Sequence, residues 1–101
     1  MPIPLIPIIL AAAAALAITV VAILYYDDII NWFHARNDLK TSDANNIAFT
    51  IKERLSTGNY KVVQGIFNKK SNKMVDGQQV EAESLSGDIS RHRAGELVVY
   101  E

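Results

Sequence analysis

The chain has 101 residues, half of them hydrophobic, with ten basic and eleven acidic side chains and a formal charge of −1. That length holds one small domain at most, and so small a net charge gives no footing for binding nucleic acid or an acidic substrate. The absence of cysteine excludes disulfides, thiolate catalysis and cysteine-ligated metal centres.

The apolar residues are concentrated at the N-terminus. Mean hydropathy is only +0.10, yet no Asp, Glu, Lys, Arg or His precedes Asp27. Residues Ile3 to Tyr26 form an uncharged apolar run, the usual signature of a membrane-spanning helix. Pro2, Pro4 and Pro7 stand at its start, where a helix tolerates the missing N–H, so the spacing predicts a helix from about Pro7. Nine of the residues from Pro7 to Tyr26 are Leu, Ile or Val, which favours insertion by about 3 to 5 kcal/mol. A signal peptide would need a basic region ahead of the run, and none is present.

On such a helix, at about 100° per residue, Ala11, Ala15 and Ala22 share one stripe bordered by Thr19. Small residues let helix backbones approach closely in lipid, so these four are candidates for helix packing. Tyr25, Tyr26, Trp32 and Phe33 follow as candidate interfacial anchors, because aromatics with one polar end favour the membrane–water boundary. Asp27 and Asp28 end the apolar segment, and the pattern then turns amphipathic, predicting continuation of the helix to about Asn37. Arg36 and Lys40 follow the span and nothing basic precedes it. The positive-inside rule therefore places the N-terminus outside and the C-terminal part in the cytoplasm.

Residues 38–101 predict a small α+β domain, behind residues 1–37 as a transmembrane helix with an amphipathic extension. Thr41, Ser42 and Asp43 are good helix N-caps. Ala44, Ile47, Ala48, Ile51 and Leu55 recur at three- and four-residue intervals, which predicts an amphipathic helix stopped at Gly58. Tyr60 to Phe67 is rich in β-branched and aromatic residues and predicts a strand. After a polar turn holding Lys69, Lys70 and Lys73, a second strand is expected within Met74 to Ala82, with a bulge or break at Asp76-Gly77. A short helix within Ser84 to Ala94 and a last strand from Glu96 to Tyr100 complete an α-β-β-α-β order with about three strands.

No residue pattern carries recognisable chemistry. His34 and His92 are the only histidines, neither in a metal-ligand spacing; the glycines are dispersed and form no phosphate loop. The sequence thus predicts no catalytic residues, cofactor or metal. It predicts a small single-pass membrane protein with a structural or assembly role, self-associating or packing in a larger membrane complex. The alternative is a membrane-permeabilising protein of the holin or defence-effector kind. The expected partners are the lipid bilayer and further copies of the chain or a larger membrane complex, without nucleic acid.

Overall fold

A computed structural model describes residues 5–100, and in it the N-terminal apolar run divides into two elements of different kind. Helix α1 covers Leu5–Ala13 and strand β1 covers Ile18–Tyr25. The break falls where the composition changes. Alanine, the strongest helix former, gives way to Ile18, Thr19, Val20, Val21 and Ile23, whose branched Cβ atoms favour the extended chain. Helix α2 follows at Tyr26–Ala35, with Asp27 and Asp28 in its first turn, where a carboxylate faces the positive end of the helix dipole. A one-turn helix α3, Asn37–Thr41, leads into β2, Asn46–Arg54, β3, Tyr60–Asn68, and β4, Lys73–Ser86. A 3-10 turn at Asp88–Arg91 precedes β5, Leu97–Tyr100.

The strands form one mixed sheet in the order β1-β4-β3-β2-β5, with β1 parallel to β4 and the other pairs antiparallel. Each face carries its own core. On one face, Ile9 and Ala13 of α1 pack on Phe49, Ile51, Val63 and Phe67. On the other, Ile29 of α2 and Ile89 of the 3-10 turn pack with Leu24, Val62, Val80 and Ala82. Gly65 and Gly77 lie opposite each other in the β3–β4 pair. A Cβ at Gly65 would come within 2.8 Å of the Asp76 carbonyl oxygen, and one at Gly77 within 3.0 Å of the Leu16 side chain. Gly77 thus leaves room for Leu16, in the turn after α1, to sit directly on the sheet, and Gly65 leaves room for the Phe49 ring and the Met74 sulfur.

These positions correct the fold class, the membrane assignment and the topology expected from the sequence. No helix among the described residues is long and apolar enough to cross a membrane. The nine residues of α1 reach about 14 Å, half the hydrocarbon thickness of a bilayer. A single-pass transmembrane helix, with an outside N-terminus and a cytoplasmic C-terminal domain, is therefore not supported; Pro2, Ile3 and Pro4 lie outside the described residues. The apolar run is used instead to cover one sheet face and to supply a strand. The three-strand expectation also gives way to five strands. Residues 44–55 hold β2 rather than an amphipathic helix. As an inner strand covered on both faces, β2 buries Phe49 and Ile51 on one side and Ala48 and Thr50 on the other, so its apolar residues do not alternate cleanly. The strand expected from Tyr60 to Phe67 is present as β3, and the last strand as β5. β4 is continuous, and its irregularity falls between the Ile66–Asp76 and Phe67–Met74 pairs, with Val75 as the extra residue.

Buried amides fasten the helices to the sheet. Gln79 Nε2 donates to the carbonyl oxygens of Ala13, at 2.8 Å, and Leu16, at 3.0 Å, closing the C-terminal end of α1. Gln64 Nε2 donates to the Ile29 carbonyl of α2, and its Oε1 accepts from Gln78 Nε2, both at 2.7 Å. Arg36 lies 3.9 Å from the centre of the Trp32 ring and donates through Nε to Asp76 Oδ2 at 2.7 Å, tying the end of α2 to β4.

Asp43, expected to cap a helix, organises the turn into β2. Hydrogen bonds from the Asn45 backbone N–H and from the Asn68 side chain hold its carboxyl below the usual carboxylate range. Because the folded state favours the ionised form, this contribution to stability is complete above the unfolded value near 3.8 and is lost as pH falls through the lowered folded value. Urea unfolding across the acid range is expected to show a weaker dependence on pH in Asp43→Asn than in the wild type. Parallel profiles for the two proteins would remove Asp43 from the acid response.

Candidate functional site

Strand β1 is an edge strand with one neighbour, β4. Among the described residues its backbone makes no main-chain hydrogen bond outside that pairing. Its outer side therefore presents a row of unpaired N–H and C=O groups, the template to which a further strand adds. Its side chains are uncharged throughout, and four large apolar ones face water: Ile18 is 52 % exposed, Val20 70 %, Ile23 43 % and Tyr25 51 %. Natural edge strands are normally protected by lysine, proline, a bulge or a covering element. None of those residues or irregularities occurs in β1. Beside it, Val20, Val21, Ala22, Asn59 and Glu83 line a shallow groove of about 220 Å³. The Asn59 side chain is held in place by donating to Glu81 Oε2 at 3.1 Å.

The residues expected to pack one helix against another are distributed over different elements. Ala11 is on α1, Ala15 is in the turn after it, and Thr19 and Ala22 are on β1; all four are exposed. Thr19 and Ala22 therefore belong to the open edge, and Ala22 also lines the groove. The aromatic residues separate too. Tyr25 ends β1 and is exposed, whereas Tyr26 and Phe33 pack against the second core, and Trp32 stacks under Arg36. Phe33 lies 4.9 Å from the ring of Tyr100, whose hydroxyl is 2.9 Å from Thr50 Oγ1. Burial pushes the Tyr100 hydroxyl above its ordinary value near 10. Lys69, Lys70 and Lys73 stand exposed at the β3–β4 hairpin, as the sequence predicts.

A second polar locus went unnoticed in the sequence. Lys52 on β2 is only 7 % exposed. Its Nζ donates to the Ser90 carbonyl at 3.3 Å, and its own carbonyl accepts from Gly95 N–H at 2.6 Å. Nζ also lies 5.7 Å from the Tyr60 ring centre, and the Arg54 guanidinium lies 5.5 Å from the same ring. Among the described residues no carboxylate is within 4.0 Å of Lys52. His92, half-buried in the segment above, has a buried Nδ1 without a hydrogen-bond partner. Nothing local marks Lys52, because a lysine within an alternating or helical pattern reads as solvent-facing.

Among the described residues no three His, Asp or Glu side chains gather as a metal site would require. Compared with protein-family models, with curated proteins and with solved structures, the chain matches none.

Proposed function

We propose that the chain is a structural assembly module that self-associates by pairing β1 with β1 of a second copy. The unpaired, uncharged and apolar outer edge of β1 carries this reading. Two copies related by a twofold axis place identical strands antiparallel, so each supplies the hydrogen-bond complement of the other. The five-stranded sheet then becomes a continuous ten-stranded one. The strand bears no charge to repel its own copy, and like charges directly opposite are what disfavours such pairing. Pairing also shields Ile18, Val20, Ile23 and Tyr25 from water, at about 25 cal/mol per Å² of apolar area removed.

Val20→Lys tests the proposal, since Val20 is the most exposed large apolar residue of the strand and touches neither core. Sedimentation of the wild type is expected to show a dimer that dissociates on dilution. The Lys variant is expected to be monomeric, with stability changed by no more than about 0.5 kcal/mol, as for surface substitutions generally. A wild type that sediments as a monomer at every concentration, or a Lys variant as dimeric as the wild type, refutes it.

A further inference from the structure

We propose that the paired β1 strands of two copies meet in one register, with Val21 on the twofold axis and opposite its own counterpart. This register rests on the β1–β1 pairing proposed above and narrows it to a single arrangement. A twofold axis perpendicular to the sheet leaves every side chain on its own face, and residues opposite each other in an antiparallel pair share a face. Each residue of β1 therefore meets one that is an even number of positions away, and one residue meets itself. A slip by one position would set side chains of opposite faces against each other. The axis thus passes through a single residue, and the most pairs form when that residue is near the middle of Ile18–Tyr25.

The neighbouring elements and the exposed side chains choose among the residues there. With Val20 on the axis, only Ile18 to Ala22 pair strand to strand, and Ile23 and Tyr25 fall opposite Ala17 and Ala15, before the start of β1. With Ala22 on the axis, Ile18 falls opposite Tyr26, where α2 begins, and stays uncovered. The smallest side chain of the strand then meets itself, while Val20 is set against Leu24. With Val21 on the axis, Ile18 to Leu24 pair in full. Val20 stands opposite Ala22, Ile23 opposite Thr19, and Tyr25 opposite Ala17, the residue just before the strand, so each of these large exposed side chains faces a smaller one. Ile18 stands opposite Leu24, which is already buried. Large groups facing small ones fill the space across a pair without overlap.

The chain has no cysteine, so single cysteines introduced into the full chain report the register. A disulfide joins Cα atoms about 4.4 to 6.8 Å apart, which spans residues directly opposite each other. Diagonal neighbours stand about 7 to 8 Å apart. Under mild oxidation, Val21→Cys is expected to form a covalent dimer at least about tenfold faster than Val20→Cys or Ala22→Cys alone. A mixture of Val20→Cys with isotope-labelled Ala22→Cys is expected to give mixed dimers in excess over like-with-like ones, because those two positions face each other. The mixture leaves Val21 in place, so it decides the register even if Val21→Cys does not fold. Sedimentation of the wild type separates the two levels of the proposal. A wild type that is monomeric at every concentration removes the pairing, and this register with it. A dimeric wild type in which Val20→Cys or Ala22→Cys links to itself fastest keeps the pairing and overturns the register, as does a mixture without an excess of mixed dimers. A dimeric wild type with no linkage through any of the three positions overturns both, since the two strands then do not lie side by side.

Discussion

Phe49→Ala is expected to lower the free energy of unfolding by about 3 to 5 kcal/mol, the usual cost of truncating a buried phenylalanine. Phe49 is fully buried on the inner strand β2, in the core that joins α1 to the sheet. Its ring edge approaches the Cα side of Gly65 on the neighbouring strand, which has no side chain there to fill the space it leaves. Domains of this size are stable by about 5 to 15 kcal/mol in all. A loss of 3 kcal/mol or more corresponds to a melting temperature lower by upwards of about 10 °C. Thermal and urea unfolding of the two proteins measure this directly. A loss below about 1 kcal/mol would mean that α1 does not cover this face of the sheet.

Gln79→Met is expected to cost about 2 to 4 kcal/mol, and to act locally on α1. Methionine matches glutamine in length but cannot donate. The substitution strands the Ala13 and Leu16 carbonyl oxygens, which the Gln79 amide serves with its two N–H groups. A buried acceptor left without a partner costs about 1 to 3 kcal/mol. Hydrogen exchange is the sharper measurement. Amides of α1 are expected to lose protection while those of β3, at the centre of the sheet, keep theirs relative to global stability. Uniform loss across the chain would show that Gln79 supports the sheet and not the helix end.

How much of this was legible depends on what each segment's neighbours do. β3 and β5 could be read because their β-branched and aromatic residues form strands in almost any context. β2 could not. Its apolar residues satisfy a helical spacing as well as a strand covered on both sides, and only the flanking strands decide between the two. The N-terminal run misleads for a related reason. Hydropathy registers that the segment avoids water, and burial against a sheet satisfies that as well as lipid does. The Gln79 amide that satisfies the carbonyls at the end of α1 lies more than sixty positions away in sequence, and no local pattern contains it. Thr19 and Ala22, expected on one face of a helix, lie on the edge strand β1, and that setting was not legible in the sequence. The Lys52 locus depends entirely on the later segment that crosses it, so nothing near Lys52 in sequence could have marked it.

The parallel pairing of β1 with β4 also bears on synthesis. Ile18 pairs with Gln79 and Tyr25 with Ser86, so the strand made first must await a partner encoded about sixty residues later. At roughly 5 to 20 residues per second, translation leaves that interval at several seconds. For that time the most apolar stretch of the chain has neither its sheet neighbour nor the surface on which α1 rests. Loop-closure entropy further delays contacts so distant along the chain. The order of manufacture thus runs opposite to the order of need, and residues 18–25 have no sheet neighbour until β4 emerges.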